Sequence, residues 1–184
     1  MSLEASHIVG AGAKENRKPM DFYPTPPDVT RALLNMLDIP AGATIWEPAC
    51  GQGDLARVLS DRGYKTILTD IIYGQDFLAT DLPDGVDWII TNPPFSLAEK
   101  FIERAWEFKK PFAFLLKSQY WHAARRYDLF ERCTPSAIFP LTWRPDFLAE
   151  GGSPLMDVMW CVWKFGTDEP IYPAYIPISK KMGA

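Results

Sequence analysis

Histidine and cysteine are scarce in this chain of 184 residues. The only histidines are His7 and His122, so chemistry that needs a histidine base has one candidate outside the N-terminal tail, His122. The three cysteines, Cys50, Cys133 and Cys161, are far apart and form no CxxC pair. The sequence therefore predicts neither a disulfide framework nor a zinc site, and we expect no bound metal.

The chain also has no excess of positive charge and no long apolar run. Nineteen Lys and Arg stand against twenty-three Asp and Glu, which gives a net charge of −4. This balance argues against a protein that holds nucleic acid through a strongly basic surface, although nucleic acid met at one local patch stays open. Because no apolar run could span a membrane and residues 1–20 lack the core of a signal peptide, we expect a cytoplasmic protein.

What is present is an ordinary globular balance, with 47% hydrophobic, 23% charged and 14% aromatic residues. Residues 1–20 predict a flexible N-terminal arm, and residues 21–184 predict a single domain. Strand patterns alternate with helical patterns, which predicts an α/β fold with a mostly parallel sheet and helices on both faces. The predicted strands are 43–46, 65–71, 86–91, 112–116, 137–141 and 157–165. The predicted helices begin at Asp28, cover 54–62, follow a Ser96–Glu99 capping box and cover 120–132.

The turn after the first predicted strand carries two glycines, in the run Glu47-Pro48-Ala49-Cys50-Gly51-Gln52-Gly53. Glycines at a strand-to-helix turn let a ligand approach the backbone, but they are equally typical of a tight structural turn. With Ala56 as a permitted third position, the spacing also fits a dinucleotide fingerprint. An acid before the glycines would repel a pyrophosphate, however, and suits a ligand with a positive amino group.

This run resembles the first motif of class I S-adenosylmethionine-dependent methyltransferases. The resemblance implies that S-adenosylmethionine is the cofactor and that the turn wraps its methionine part, through Glu47, Pro48, Ala49, Cys50, Gly51 and Gly53. Asp70, after the second strand, matches the acid that holds the ribose hydroxyls in this family, and a helix-capping or solvated Asp is the alternative. Asp76 and Phe77 resemble the pair that reads the adenine, although a surface Asp-Phe pair is common.

A second match is Asn92-Pro93-Pro94-Phe95, directly after the third predicted strand. It resembles the (Asp/Asn)-Pro-Pro-(Tyr/Phe) motif of methyltransferases that modify an amino nitrogen. The Asn92 side-chain oxygen and the Pro93 carbonyl can accept hydrogen bonds from an amino group, which frees the nitrogen lone pair for attack on a sulfonium methyl. Two prolines stiffen the turn, and Phe95 would stack on a target base swung out of its duplex. Asn92 is also expected to contact the cofactor.

A third match lies at Tyr23-Pro24-Thr25-Pro26, which otherwise is a Pro-rich turn before a helix. It resembles the Tyr-x-Thr-Pro segment that touches the cofactor in many DNA amino-methyltransferases, and so implies that Tyr23 and Thr25 bind S-adenosylmethionine. The resemblance covers residues 21–165 and extends to a phage- and prophage-type group of DNA adenine methyltransferases. It implies a Rossmann-like class I methyltransferase fold, with a seven-stranded type of sheet that has one antiparallel strand.

A separate target-recognition domain is missing from this pattern. The segment 141–154, with Trp143, Arg144 and Phe147, could read the substrate or could be a structural crossover, and Lys117 could add positive charge beside it. A recognition partner or a homodimer could supply what the segment does not.

The sequence thus predicts methyl transfer to an exocyclic amino nitrogen, with adenine in DNA as the first candidate substrate. The same motif also fits cytosine, a guanine amine in RNA, and a glutamine side chain in protein. An alternative of another class is a non-catalytic, methyltransferase-like binding subunit, and a nicotinamide dehydrogenase is a third.

Overall fold

The computed structural model describes residues 23–147, 156–166 and 173–183. The predicted N-terminal arm and residues 148–154 of the candidate substrate segment lie outside the described residues. The helices are α1 (Pro27–Leu34), α2 (Asp54–Asp61), α3 (Ala98–Glu107) and α4 (Tyr127–Arg132). The strands are β1 (Thr44–Glu47), β2 (Lys65–Leu68), β3 (Trp88–Thr91), β4 (Phe112–Lys117), β5 (Ala137–Pro140), β6 (Val158–Trp163) and β7 (Ala174–Tyr175).

The described strands form one seven-stranded sheet in the order β2-β1-β3-β4-β6-β5-β7. Strands β2, β1, β3 and β4 are mutually parallel, and β5 and β7 run the same way. Only β6 is reversed, and it pairs antiparallel with β4 on one side and β5 on the other. The predicted α/β fold with one antiparallel strand is therefore confirmed.

Two hydrophobic cores cover the two faces of this sheet. One contains the apolar sides of α1 and α2, such as Leu33 and Leu59, and the other contains that of α3, such as Phe101 and Ile102. Successive residues of the central strands alternate between them, so that Leu115 faces the first core and Leu116 the second. Burial on both faces explains why β4 and β6 read as continuous apolar runs.

Much of the aromatic content serves packing in the second core. The rings of Phe112 and Trp163 stack at 4.4 Å between centroids, and Phe77 packs on Phe101 at 4.7 Å. Among the described residues, no helix combines the length and the apolar character needed to cross a membrane.

Two helix predictions were wrong in detail. Residues 120–132 do not form one helix, because Ala123 is extended and lies between 3₁₀ turns at Tyr120–His122 and Ala124–Arg126, the second of which leads directly into α4. In the first of these turns, Tyr120 is buried in the second core and Trp121 packs against it.

The helix predicted to follow a Ser96–Glu99 capping box also begins differently from the prediction. Helix α3 begins at Ala98, Leu97 occupies the N-cap position without a side-chain cap, and Ser96 is exposed. A turn closed by Leu97 N–H donating to the Pro94 carbonyl at 2.9 Å delays the helix start.

Strand β2 is shorter than predicted, since a 3₁₀ turn follows at Ile71–Tyr73. The proline-punctuated C-terminal segment supplies the edge strand β7 and an isolated bridge from Ile178 to Leu141.

Candidate functional site

The loops that follow β1, β2 and β3 meet at the carboxyl ends of these parallel strands and surround a cavity of about 730 Å³. A crevice at this end of the sheet is where doubly wound α/β folds bind their ligands. Its walls contain nearly all the residues predicted to bind the cofactor, namely Tyr23, Thr25, Glu47, Pro48, Ala49, Cys50, Gly51, Asp70, Asp76, Phe77 and Asn92. Gly53 is the exception.

Gly53 lies outside the cavity wall, in the turn between β1 and α2. It is the N-cap of α2 with a φ of +80°, a left-handed conformation that glycine adopts without steric cost. Its N–H donates to the Cys50 carbonyl at 2.7 Å, which closes the turn after β1. Burial raises the pKa of the Cys50 thiol to about 11, so this thiol stays protonated at neutral pH and is no nucleophile.

Asp70 ties the loop after β2 to the turn after β1. Its Oδ2 accepts the Gly51 N–H at 2.7 Å, and its Oδ1 accepts the Ile72 N–H at 2.9 Å. The Tyr73 hydroxyl adds a bond to the Gly51 carbonyl at 3.1 Å. Asp70 is 8% exposed and lines the cavity, so it caps a 3₁₀ turn and faces the candidate site as well.

Glu47 places a buried carboxyl at the end of β1. It is 3% exposed, and its Oε2 has no hydrogen-bond partner among the described residues. Burial raises the pKa of Glu47 well above its ordinary value, while the Ala56 backbone N–H opposes the shift. A cationic group brought into the cavity would stabilise the ionised form of this carboxyl.

Asp76 and Phe77 also line the cavity, but in different ways. Asp76 Oδ1 accepts the N–H of Leu78 at 3.0 Å and so fixes its own loop. Phe77 is 2% exposed and packs edge-on against Trp46 at 5.1 Å between centroids. Its ring therefore forms the floor of the cavity rather than a projecting surface.

The Asn92–Phe95 segment begins where β3 ends. The Asn92 amide nitrogen donates to the Tyr23 carbonyl at 3.0 Å and to Thr25 Oγ1 at 3.1 Å. Asn92 Oδ1 is buried and has no partner among the described residues. Of the four predicted catalytic residues, Asn92 and Pro94 line the cavity, and Pro93 is buried beside them.

Phe95 lies outside the cavity wall, half-buried between two other groups. Its ring centroid is 5.7 Å from that of Tyr23, and Lys117 Nζ lies 4.8 Å above the ring. Lys117 ends β4, so the pair connects the Asn92 turn to the next strand of the sheet.

The structure does not bring the other predicted substrate residues to the cavity. Phe147 is buried and packs edge-on against Tyr23, so it presents no exposed ring for stacking. Trp143 is half-buried against the first core. Arg144 is exposed and paired with Asp157, with Nε 2.8 Å from Oδ1. These contacts favour the structural reading of the described part of this segment.

Several cavity residues were not predicted. The cavity-lining residues that the sequence did not single out are Pro24, Gln52, Asp54, Leu55, Ile71, Ile72, Ser96, Leu97 and Phe101. Most of them are chain neighbours of the predicted motifs, a signal that could have found them, whereas Phe101 reaches the cavity only because α3 packs over the sheet. Tyr73 lies outside the cavity wall and was also missed, because nothing local indicates its bond to the Gly51 carbonyl.

Comparison with known proteins gives a likeness of fold. Neither a family model nor a curated protein matches the sequence. A type I restriction-modification methyltransferase subunit from Streptococcus thermophilus superposes with a TM-score of 0.61 at 14% identity, over 84% of this chain and 47% of that one. A Listeria monocytogenes protein assigned to the class I S-adenosylmethionine-dependent methyltransferases superposes with a TM-score of 0.54 at 17% identity, over 81% of this chain and 62% of that one.

A modification subunit assigned to a type I restriction enzyme from Vibrio vulnificus gives a TM-score of 0.54 at 13% identity, over 77% of this chain and 44% of that one. The chain thus spans less than two thirds of each of these three proteins. At such identities the likeness concerns the fold and not the substrate. Together with the order and direction of the strands, it shows that the chain has the α/β Rossmann-like fold of the class I methyltransferases.

Proposed function

We propose that this protein transfers a methyl group from S-adenosylmethionine to an exocyclic amino nitrogen, that of adenine in DNA. The observation that carries the proposal is the Asn92 carboxamide, whose nitrogen is engaged by the protein and whose oxygen is an unused acceptor beside the cavity. Two of the structural neighbours are named as subunits of restriction-modification or restriction enzymes, which makes DNA the substrate to test first.

The cavity fits the proposed cofactor in size and in chemistry. Its volume of about 730 Å³ lies within the range of small-molecule sites, roughly 300–1,000 Å³. Glu47 offers a buried, unpartnered carboxylate oxygen, which suits the positive amino group of the methionine part. Asp70 would hold the ribose hydroxyls with the lone pairs that its two backbone bonds leave unused, and Asp76 and Phe77 would bound the adenine. When bound, the cofactor supplies an electrophilic methyl group on sulfur.

The chain's own part in the reaction is to prepare the nitrogen. Asn92 Oδ1 and the Pro93 carbonyl would accept the hydrogens of the target amino group and draw the nitrogen toward tetrahedral geometry, so that its lone pair is free to attack. The new N–C bond would form as the methyl–sulfur bond breaks, the thioether product would leave, and the nitrogen would lose one proton to solvent. Asn92 is neutral, so it orients and polarises the amino group and does not act as a strong base. The rigid Pro93–Pro94 turn fixes both acceptors before the substrate arrives.

Phe95 would hold the target ring by stacking. Its half-buried ring adjoins the Asn92 turn, and Lys117 lies over one face. A base that stacks on that face displaces the ammonium group, which then lies near the substrate backbone, where its charge attracts phosphate. Duplex DNA would have to release the base from its stack first.

Sequence reading is proposed to come from a partner subunit or a second copy. Trp143 and Phe147 pack within the protein and Arg144 is paired with Asp157, so the described part of segment 141–154 offers no ready reader. The net charge of −4 agrees with weak binding of DNA by this chain alone.

The test is transfer of tritiated methyl groups from S-adenosylmethionine to DNA, RNA and protein fractions in parallel, followed by identification of the product. We expect label in DNA as N6-methyladenine. Label in cytosine, in RNA or in glutamine would keep the chemistry and change the substrate. Binding of the cofactor without transfer to any fraction would favour the non-catalytic binding subunit, and no binding would end the proposal.

A further inference from the structure

The Asn92 carboxamide can adopt only one of its two orientations. Its nitrogen lies 3.0 Å from the Tyr23 carbonyl oxygen. A carbonyl oxygen only accepts hydrogen bonds, so the amide atom that faces it must be the nitrogen, because a flipped amide would place two oxygens in contact. The orientation of the Asn92 carboxamide therefore follows from the backbone position of Tyr23.

Thr25 engages the second hydrogen of the same nitrogen. Its Oγ1 lies 3.1 Å from the Asn92 nitrogen, and Thr25 is 5% exposed, so water competes little for this bond. Both amide hydrogens are then used within the protein. Thr25 precedes α1 and Asn92 follows β3, 67 positions later, so the contact is made by the fold and not by local sequence.

The opposite end of the carboxamide is left without a partner. Asn92 Oδ1 exposes less than 1 Å² and accepts no hydrogen bond within the described part of the chain. A buried acceptor without a partner is unfavourable, and an N–H group that reaches it removes this cost. Because the oxygen is covered, such a donor arrives only when neighbouring side chains move.

We propose that Thr25 is a positioning residue for methyl transfer, which acts with the Tyr23 carbonyl to keep Asn92 Oδ1 as the acceptor for the target amino group. This inference rests on the proposed function and assigns the Tyr23–Thr25 segment a task besides cofactor contact. It also restricts the substrate: the target atom must carry hydrogen. A ring nitrogen that only accepts hydrogen bonds would set its lone pair against Oδ1 and be rejected.

The experiment compares Thr25→Val, which keeps the shape and removes the hydroxyl, with Thr25→Ser, which keeps the hydroxyl. Three quantities are measured for each: the single-turnover methylation rate at saturating S-adenosylmethionine, the calorimetric Kd of that cofactor, and the hydrogen-exchange rate of the Asn92 side-chain amide by NMR. The amide signal is assigned from its loss in Asn92→Ala.

For Thr25→Val we expect a transfer rate lower by about 10-fold or more, since misplacing a reacting group is costly, with a Kd within about three-fold of the wild type. The Asn92 amide should exchange faster in this variant. Thr25→Ser should restore both the rate and the protection. A Kd that rises while the saturated rate is unchanged would assign Thr25 to the cofactor and overturn the proposal, as would equal losses in Val and Ser.

The NMR measurement separates this inference from the proposed function because it needs no activity. If the wild type transfers no methyl group, the proposed function fails. The positioning role of Thr25 is still supported if the Asn92 amide exchanges slowly in the wild type and faster in Thr25→Val. If the Asn92 amide of the wild type exchanges as fast as a free amide, the positioning role of Thr25 is overturned, even if methyl transfer is observed. That wild-type measurement also decides the matter if Thr25→Val does not fold.

Discussion

The Gly51 N–H donates to Asp70 Oδ2 at 2.7 Å and so joins the turn after β1 to the end of β2. The other oxygen of the same carboxylate holds Ile72 N–H at 2.9 Å. One side chain thus fixes two loops on the rim of the cavity. Their geometry depends on a carboxylate, whose two oxygens can both accept hydrogen bonds.

Asp70→Asn should therefore lower both the stability of the fold and the affinity for S-adenosylmethionine. The amide nitrogen that replaces one oxygen would face a backbone N–H, so one of the two bonds becomes a contact between donors. We expect the free energy of unfolding to fall by about 1–3 kcal/mol, from the loss of a charge-assisted bond. We expect the Kd for S-adenosylmethionine to rise by about 10-fold or more. Urea unfolding and calorimetric titration measure the two effects.

The exposed Asp38 provides the matched control for this change. Asp38→Asn should leave both quantities at wild-type values. If Asp70→Asn keeps full stability and cofactor affinity, the carboxylate neither fixes the loops nor holds the ribose.

Glu47 predicts an unusual dependence of stability on pH. Burial raises the pKa of its carboxyl above the ordinary 4.5. Below about pH 4.5 the group is protonated in both states, and its contribution is fully present. As the pH rises, the unfolded chain loses this proton first, so the stabilising contribution is lost through the folded pKa. Glu47→Gln cannot ionise and should escape the loss.

The measurement is the free energy of unfolding of wild type and Glu47→Gln between pH 4 and 8. We expect the stability of the variant to rise relative to that of the wild type as the pH rises. Glu99→Gln, on the exposed side of α3, should show no comparable trend. The same Glu47→Gln change should weaken cofactor binding at pH 8, and a flat difference in stability would show that the Glu47 carboxyl is solvated.

The sequence predicts the sheet and the motif positions because both rest on local signals. Apolar runs mark the strands, and the glycine turn and the Asn92–Phe95 segment each follow a strand directly. Parallel strands then bring those segments to one edge without further information. The resemblance to class I methyltransferases was sufficient for the fold, while the phage-type group and the substrate stay predictions.

What the sequence does not predict is contact between distant segments. The Thr25–Asn92 bond spans 67 positions, and the burial of Phe147 against Tyr23 spans more. Helical spacing at 120–132 was misleading for the same reason. The periodicity is real, but Trp121 Nε1 donates to Cys161 Sγ on a distant strand, and the chain is extended at Ala123, which divides the segment into two turns.

Gly183 predicts a stability effect at the far end of the chain. A Cβ on this residue would lie 2.1 Å from the Asp28 carbonyl oxygen, because the last 3₁₀ turn packs directly on α1. Arg31 and Asn35 hold that turn through the carbonyls of Gly183 and Met182. Gly183→Ala should push it off α1 and lower the free energy of unfolding by about 1–3 kcal/mol, as overpacking does.

Urea unfolding checks this prediction, with Lys181→Ala in the same turn as the control, since Lys181 is exposed. The control should differ from the wild type by less than about 0.5 kcal/mol. Equal stability of the two variants would mean that the turn does not pack on α1 in solution.

Asn92→Ala tests the centre of the proposed chemistry. It removes the acceptor for the target amino group and leaves the Glu47 carboxyl and the turn after β1 in place. We expect single-turnover methyl transfer to fall by about 10²-fold or more, the loss typical of removing one preorganised polar group at a reacting centre. The Kd for S-adenosylmethionine should stay within a few-fold, since most of the cavity wall is unchanged.

The matched control is Asn35→Ala, the same substitution at an asparagine that holds the C-terminal turn and lies outside the cavity. It should reduce stability and leave the transfer rate of the folded protein unchanged. Asn92→Ala is thus expected to lower the transfer rate, whereas Asn35→Ala is expected to lower the stability. If Asn92→Ala turns over at the wild-type rate, the amino nitrogen is activated by another group, and the role proposed for the Asn92–Phe95 turn is wrong.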